Sequence, residues 1–377
     1  MSRKDIAGAV GLTAASVTLI CTELLEEGVI VELGEAAEEK RAGRKKILLD
    51  LNHDFKKAVC IDIESEETYI AVTDLKGKVY AGDTVPTDRA ARPETFLKRV
   101  TDACKEMLKK QGTGVDKILG IAVTVPGKVD HINGRSLNSF NIWTEEVPVK
   151  DIIEKQLGSR VLVENNLKAY AQGEIEFGRG RSEDDLFILK WGPGVGSAII
   201  VDHRIYKGAN GMAAEIGHMT SGKDGRLCNC GRYGCLETEV STHAIIADIE
   251  ECASRSPESM PILGKWLSEG NSMTYRNVSE WIGLHDPGAD KIIDAKLDLM
   301  AHSVRNAVSL TDPGKVVVIG YMFDVPEMFD RFKGIYKEYD PQTGDDFFVK
   351  SDLSDNSQHT EGLAVLLEEL FFAIPQK

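Results

Sequence analysis

One histidine and three cysteines in the second half of the chain have the types and spacing of metal ligands. The four are His218, Cys228, Cys230 and Cys235. One imidazole and three thiolates can complete the tetrahedral shell of a zinc ion, and Gly231 and Gly234 provide the turns that such closely spaced cysteines need. Four protein ligands leave no coordination position for a reacting molecule, so the sequence predicts a structural zinc. The alternative is a tight turn that carries free thiols.

A glycine-rich segment precedes this cluster and could approach an anion. Between Trp191 and Ser197, glycine occupies every second position and joins two predicted strands. Backbone amides in such a loop can surround an anion. A tight connection between strands explains the same pattern equally well, so this segment alone identifies no ligand.

The composition excludes several classes of protein. Of 377 residues, 42% are hydrophobic and 28% are charged, which is typical of a globular chain with roughly two or three domains. The formal net charge of -15 argues against a surface-wide affinity for nucleic acid or anionic lipid, so any DNA contact must be local. No apolar run approaches the roughly 18 residues of a membrane span. The seven cysteines, an odd number, favour a reducing cytoplasm.

The first 50 residues follow a helical pattern that differs from the rest. Ser2 can cap a helix that ends at Gly11, and a second helix follows. Its predicted buried stripe consists of Val17, Ile20, Cys21, Leu24 and Leu25. This is the arrangement of a helix-turn-helix, in which Thr13, Ser16 and Thr18 face outward and can contact DNA.

A basic tract lies between the next two predicted strands and is typical of a wing. Its Arg41, Arg44 and Lys45 are predicted to contact DNA phosphates. Two alternatives stand beside this interpretation of the N-terminal region: a helical hairpin used for dimerisation, and a basic loop that is merely solvated.

Strands and helices alternate from Lys57 onward, which is typical of α/β lobes. One of the clearest helices is predicted to begin at Pro93 and to end at about Lys110. The predicted domains are a head at residues 1–54, a first lobe at 55–178 completed by a C-terminal helix at 356–377, and a second lobe with the zinc site at 179–355.

Several motifs together resemble the signature of the ROK family, which contains sugar kinases and sugar-responsive repressors. The motifs are Leu189 with the glycines 192, 194, 196, 208, 211 and 217, then Glu215 and His218, the Cys-x-Cys-Gly-x-x-Gly-Cys-x-Glu segment, Pro126-Gly127-x-Val129-Asp130, and Glu164-Asn165-Asn166. The resemblance covers about residues 55–377. It implies a two-lobed actin-like (ribonuclease H-like) ATPase fold of the α/β class, with a sugar in the cleft between the lobes.

The resemblance also implies a winged helix-turn-helix at the N-terminus. The repressor branch of the family carries such a head, which ends in Gly-Arg-Lys, found here as Gly43-Arg44-Lys45. A first helix normally packs under the other two, whereas this sequence begins at the position of the second. The expectation is that the true start lies upstream or that the head is incomplete.

The chain departs from the kinase pattern at the phosphate loop. Family kinases carry an Asp-x-Gly-Gly-Thr-like loop, and this chain has instead the segment from Asp62 to Thr68 with glutamates at 64, 66 and 67. These carboxylates would repel the phosphates of ATP, and no glycine lets the backbone approach them.

Two further departures concern catalysis and the nucleotide. Asn166 occupies the position of the aspartate that acts as general base in kinases, and an amide cannot accept that proton. Tyr321 follows Gly320 where the family has a second glycine beside the nucleotide. The comparison implies that kinase activity is lost, that no residue is catalytic and that the protein is not an enzyme.

The residues that hold a sugar in the family are retained. By this resemblance they are Gly127, Asn165, Asn166, Glu215, His218 and Glu237. A mixture of carboxylates and amides suits a ligand with many hydroxyl groups. The alternative is a vestigial cleft whose polar side chains satisfy one another.

These observations predict a sugar-responsive transcriptional regulator, a repressor, with one structural zinc. Its expected partners are operator DNA and a small sugar effector, without a membrane, and it is expected to act in the cytoplasm as a homodimer or a dimer of dimers. An active ROK-type sugar kinase that uses ATP, similar to a glucokinase, is the first alternative. A scaffold that binds neither DNA nor sugar is the second.

Overall fold

The protein consists of a small head followed by two α/β lobes. The structure, a computed structural model, describes residues 1–35, 46–139, 142–209, 211–351, 353 and 361–372. The head comprises helices α1 (Arg3–Val10) and α2 (Ala14–Glu26) and strands β1 (Ile30–Glu35) and β2 (Ile47–Leu51). The two strands pair in antiparallel fashion.

The angle between the two helices of the head is that of a helix-turn-helix. Ser2 caps α1 reciprocally with Asp5, each side chain accepting a hydrogen bond from the other residue's backbone amide. Gly11 then ends α1 with a φ of 66°, a left-handed conformation that glycine adopts without strain. The helices meet at 116°, within the range of about 90–120° for this motif.

One residue of the predicted buried stripe lies at the surface instead. Val17 and Cys21 of α2 are buried, as predicted, and pack with Leu49 of β2. Ile20 is 44% exposed, because the described part of the head covers only the face of α2 that carries Val17 and Cys21. Within the described residues no single helix is long and apolar enough to cross a membrane, and α1 and α2 reach that length and hydropathy only when counted together across their bend.

The first lobe is built on a five-stranded mixed sheet. Its elements are β3 (Lys57–Ile63), β4 (Glu67–Thr73), β5 (Val79–Pro86), α3 (Pro93–Lys110), β6 (Ile118–Val125), the hairpin β7 (Lys128–Asp130) and β8 (Arg135–Asn138), α4 (Val149–Leu157), β9 (Val161–Asn165) and α5 (Asn166–Phe177). The strand order is β5-β4-β3-β6-β9, and β6 runs parallel to both β3 and β9. The bounds of α3 agree with the prediction.

The second lobe has a sheet of the same order. Its elements are β10 (Leu186–Trp191), β11 (Val195–Val201), β12 (Arg204–Ile205), α6 (Glu237–Val240), α7 (Thr242–Arg255), α8 (Pro261–Ser268), α9 (Val278–Ile282), α10 (Pro287–Thr311), β13 (Lys315–Ile319), α11 (Tyr321–Asp324), α12 (Pro326–Tyr339) and β14 (Phe348–Lys350). The order is β12-β11-β10-β13-β14, with β13 parallel to β10 and β14. Two sheets with this common order confirm the two-lobed prediction.

A short C-terminal helix packs on the first sheet. It comprises α13 (Gly362–Leu366) and a π-helical turn (Leu367–Phe372), inside the range predicted for the closing helix. Leu363 and Leu366 bury their side chains against Ala58 and Cys60 of β3 and Ala122 of β6. The opposite face of the same sheet is covered by α3 and α4.

The carboxyl ends of the parallel strands point into the space between the lobes. Asp62 near the end of β3, Gly127 after β6 and Asn165 at the end of β9 line that space from the first lobe. Lys190 of β10 and Gly320 after β13 line it from the second. Ligands of open α/β sheets bind at such strand ends, so this cleft is the candidate ligand site of the fold.

Candidate functional site

The cleft between the lobes is large enough for a small ligand. Its volume is about 620 Å³, within the roughly 300–1,000 Å³ of small-molecule sites. All six residues predicted to hold a sugar line it: Gly127, Asn165, Asn166, Glu215, His218 and Glu237. Three of them come from each lobe, so the structure brings together residues that lie up to 110 positions apart in the sequence.

Asn165 positions the first-lobe side of this cleft. Its Oδ1 accepts hydrogen bonds from the backbone amides of Leu167 and Lys168 and so caps α5. Its Nδ2 donates to the carbonyl oxygen of Gly127 at 2.8 Å. Gly127 has a φ of 86°, and a Cβ there would lie 2.2 Å from the carbonyl oxygen of Asn138. Only glycine therefore fits at this position of the wall.

Two carboxylates and a histidine face the cleft from the second lobe. Glu237 begins α6, and its Oε2 accepts a hydrogen bond from the backbone amide of Val195 at 3.1 Å. Glu215 precedes the short helical turn that carries His218. Glu237 is half-buried and Glu215 is exposed. Loss of hydration in the cleft raises the pKa of both carboxyl groups. Their oxygens can accept hydrogen bonds from the hydroxyl groups of a ligand.

The four predicted metal ligands converge next to this wall. The donor atoms of His218, Cys228, Cys230 and Cys235 all lie within 4.8 Å of one another. The Sγ atoms of Cys230 and Cys235 are 3.5 Å apart, and His218 Nδ1 is 3.6 Å from the Sγ atom of Cys228. Zn–S bonds of about 2.3 Å in a tetrahedron place two sulfur atoms about 3.8 Å apart, so the donor set fits a zinc ion.

His218 belongs to both the metal cluster and the cleft. Burial lowers the pKa of its imidazole, which favours the neutral form that binds metals. Because the same residue lines the cleft, a metal bound to the cluster would fix the wall on which Glu215 and Glu237 stand.

The first lobe also contributes the segment from Glu64 to Glu67, here called the acidic segment, of which Glu64, Ser65 and Glu67 line the cleft. Glu64 Oε1 accepts hydrogen bonds from Asn166 Nδ2 at 3.0 Å and from Lys190 Nζ at 3.2 Å. Lys190 belongs to the second lobe, so this contact crosses the cleft. Burial acts to lower the pKa of Lys190, but the charges of Glu64 and Asp62 outweigh it and raise that pKa. Lys190 is therefore a cation at neutral pH.

A second set of contacts joins the acidic segment to the other lobe. Arg276 Nη2 lies 3.4 Å from Glu66 Oε2 and 3.1 Å from Glu67 Oε2. The hydroxyl of Tyr275 donates to Glu66 Oε2 at 2.7 Å. The ring of Tyr321 packs edge-on against Tyr275, with centroids 5.1 Å apart. Carboxylates and aromatic rings thus stand at the segment where the sequence comparison expects nucleotide phosphates.

Sequence reasoning missed the second-lobe partners of the acidic segment. Glu64 and Lys190 are 126 residues apart, and Glu66 and Tyr275 are 209 residues apart. No motif or periodicity relates such distant positions. A charged residue inside the apolar strand Leu186–Trp191 is the one local signal that could have pointed to Lys190.

The described residues of the head present three of the six predicted DNA contacts at the surface. Thr13 caps α2, and its Oγ1 accepts a hydrogen bond from the backbone amide of Ser16 at 3.2 Å. The hydroxyl of Thr18 donates to the carbonyl oxygen of Ala14 at 2.7 Å. All three predicted residues are exposed. The others, Arg41, Arg44 and Lys45, lie outside the described residues.

Similarity to a curated relative supports the family resemblance that the motifs indicate. A xylose repressor from Caldicellulosiruptor bescii is 31% identical over 262 residues, which are 68% of this chain and 64% of that protein. The chain therefore spans slightly less than two thirds of the length of that relative.

Two solved structures share the fold. A ROK family transcriptional regulator, a homologue of the Escherichia coli MLC protein, superposes with a TM-score of 0.80 at 23% identity, over 98% of this chain and 92% of that one. A ROK family glucokinase from Streptomyces griseus, in complex with glucose and AMPPNP, superposes with a TM-score of 0.68 at 26% identity, over 82% of this chain and 98% of that one. The sequence pattern of the ROK family matches residues 58–369. The chain belongs to the ROK family.

Proposed function

We propose that this protein is a sugar-responsive transcriptional repressor that binds a sugar in the cleft and operator DNA through its head. The observation that carries the proposal is the contrast within the cleft. All six predicted sugar contacts line it, whereas the acidic segment pairs with Lys190 and Arg276 where a kinase would hold phosphates. The similarity to a xylose repressor supports the same function.

The coupling between sugar and DNA would be a shift between lobe arrangements. Each lobe supplies three of the predicted sugar contacts, so a bound sugar favours the arrangement in which both sets can reach it. DNA would favour another arrangement. The sugar can release the operator only by as much as its affinities for the two arrangements differ.

The head would contact DNA through its second helix and the basic tract. In this proposal Thr13, Ser16 and Thr18 approach base edges in the major groove, and Arg41, Arg44 and Lys45 contact phosphates. A homodimer would place two such helices in successive major grooves. The net charge of -15 supports a contact that is confined to this region, since the rest of the surface repels DNA.

A zinc ion held by His218 and the three cysteines would have a structural role. Four protein ligands leave no position for a substrate, and the ion would supply no step of a reaction. Its contribution would be to hold His218 and the adjoining loop at the wall of the cleft. Operator DNA as partner fits action in the cytoplasm.

Selection of DNA from random duplexes tests the proposal. The zinc-loaded full chain is expected to enrich a near-palindrome whose half-sites lie about 34–36 Å apart. One sugar from a panel of hexoses, pentoses and amino sugars should then weaken binding at least tenfold, about 1.4 kcal/mol. Replacing Lys45 with Ala should weaken all sequences and reduce the salt slope by about one unit. No enrichment, with or without sugar, would identify the head as a dimerisation element.

A sugar kinase is the second candidate, favoured by the similarity to a glucokinase and by the retained Asp62. Asp62 is buried and accepts a hydrogen bond from the Thr124 hydroxyl at 2.6 Å. A coupled assay with ATP and the same sugars separates the candidates. The repressor proposal expects background rates, and turnover near 1 per second, on the order of an ordinary enzyme, would favour the kinase.

A further inference from the structure

The cleft carries an excess of negative charge. Of the described residues that line it, seven have carboxylate side chains and four have cationic ones. The four are Lys168, Lys190, Arg276 and Lys350. Lys190 and Arg276 already form ion pairs with the acidic segment. Lys168 donates a hydrogen bond to the carbonyl oxygen of Gly211. A ligand that brings further negative charge therefore enters a site whose cations are mostly engaged.

Glu64 contacts both a predicted sugar contact and a cation of the facing lobe. One oxygen, Oε1, accepts hydrogen bonds from Asn166 Nδ2 at 3.0 Å and from Lys190 at 3.2 Å. A sugar hydroxyl that accepts a hydrogen bond from Asn166 Nδ2 would lie within two hydrogen-bond lengths of this carboxylate, about 6 Å. Glu64 is thus close enough to sense a charge that the sugar carries at that hydroxyl.

We infer that Glu64 makes the cleft specific for a neutral sugar and excludes the phosphate ester of the hydroxyl that approaches Asn166. The inference rests on the proposed function and names the chemical class of the effector. A phosphate group that pairs with Lys190 would have to share this cation with Glu64 or displace it. In either case the Glu64 carboxylate remains in the same cleft, so the ester would meet its charge and those of several other acidic side chains.

Titration calorimetry with matched pairs of ligands tests this inference. The zinc-loaded full chain is titrated first with the panel of neutral sugars, and then with the phosphate esters of every sugar that binds. Each ester at the hydroxyl nearest Asn166 should bind at least tenfold more weakly than its parent sugar. An ester that binds as tightly as its parent, or more tightly, would overturn the inference and leave the proposed function intact.

The variant Glu64→Gln separates charge from structure. An amide oxygen at this position still accepts hydrogen bonds from Asn166 and Lys190, but the negative charge is gone. The ratio of the dissociation constant of the phosphate ester to that of its parent sugar should fall at least fivefold in this variant. Glu258→Gln, an exposed residue that does not line the cleft, is the matched control and should leave the ratio unchanged. An unchanged ratio in a Glu64→Gln protein that unfolds at the normal temperature would contradict the role of Glu64.

Ionic strength provides a readout that needs no variant. The Debye length falls from about 10 Å at 0.1 M salt to about 3 Å at 1 M. If the cleft discriminates by charge, the ratio of the dissociation constant of the ester to that of the parent sugar should therefore decrease as salt is added. If it discriminates by shape, the ratio should not change. Failure of every neutral sugar and every ester to bind would overturn the proposed function and this inference with it.

Discussion

Two groups of carboxylates that line the cleft differ in their partners. Glu215 and Glu237 stand among the six predicted sugar contacts, here called the sugar end. Glu64 and Glu67 belong to the acidic segment, and Lys190 and Arg276 of the facing lobe form ion pairs with them. In the proposed function Glu215 and Glu237 would accept hydrogen bonds from sugar hydroxyls, whereas Glu64 and Glu67 are already held by cations across the cleft.

In the proposed function this difference would let the cleft bind a sugar and exclude a nucleotide without a change of fold. The strand order is the same in both lobes. What sets the acidic segment apart is that its carboxylates have cationic partners in the facing lobe. These ion pairs connect the two lobes, and in the proposed function they would also exclude a phosphate.

Loss of one ligand of the His/Cys cluster should have the largest effect, because it should abolish sugar binding. In Cys230→Ser we expect less than one zinc per chain, no measurable sugar binding and a clear fall in unfolding temperature. Binding of structural zinc in zinc-finger peptides is worth about 10–16 kcal/mol, and even a fraction of that is large for a folded lobe. Elemental analysis and thermal unfolding measure these outcomes.

The control for this prediction is another cysteine of the same lobe. Cys252 is half-buried and is not one of the four clustered residues, so Cys252→Ser should keep the metal content unchanged. Absence of zinc from freshly purified, reduced wild-type protein would contradict the assignment of the cluster.

Removing one carboxylate from the sugar end should have the next largest effect. Glu237→Gln retains an oxygen that can accept the hydrogen bond from Val195 but removes the charge that a sugar hydroxyl would meet. Hydrogen bonds to charged groups contribute about 1.5–3 kcal/mol, so the dissociation constant for sugar should rise roughly tenfold to a hundredfold. Calorimetry with the sugar found in the panel checks this, and an unchanged constant would favour a vestigial cleft.

The sequence predicted the parts of the site that are local and missed those that are not. The His/Cys cluster falls within 18 residues, and the predicted sugar contacts follow family motifs, so both sets of residues could be located from the sequence. The pairing of Arg276 with the acidic segment depends on two lobes meeting across some 210 residues of sequence, which no pattern records. The exposure of Ile20 was missed because helical spacing identifies a face but not the element that covers it. The domain boundaries stay a prediction.

Placing a carboxylate at residue 166, the position that the family resemblance relates to the kinase base, tests whether the acidic segment excludes phosphate chemistry. Asn166→Asp places a second negative charge where the side chain now lies 3.0 Å from Glu64. We expect no ATP-dependent phosphorylation, because the acidic segment still opposes ATP. Repulsion should also lower the free energy of unfolding by about 1–2 kcal/mol, since one pKa unit corresponds to about 1.4 kcal/mol.

The control here is Asn166→Ala, which removes the hydrogen bond to Glu64 without adding charge. It should destabilise the protein less than Asn166→Asp does at neutral pH. Appearance of sugar phosphorylation in Asn166→Asp would show that the acidic segment tolerates a nucleotide. It would contradict the proposed difference between the sugar end and the acidic segment.

The smallest expected effect concerns the ion pairs that connect the lobes. The Arg276 side chain is 45% exposed, and exposed pairs contribute about 0.2–1 kcal/mol, so Arg276→Gln should hardly change the unfolding temperature. In the proposed mechanism its pairs with Glu66 and Glu67 would nevertheless favour the arrangement in which both halves of the sugar end face one ligand. Apparent affinity falls with the population of that arrangement, so sugar should bind about two- to fivefold more weakly at low salt. The difference should disappear near 1 M salt, where screening already weakens these pairs.

Arg255→Gln is the matched control, because its pair with Glu251 lies within α7 and joins no lobes. Equal sugar affinity in wild type and Arg276→Gln at low salt would mean that these ion pairs fill the cleft without coupling its two walls.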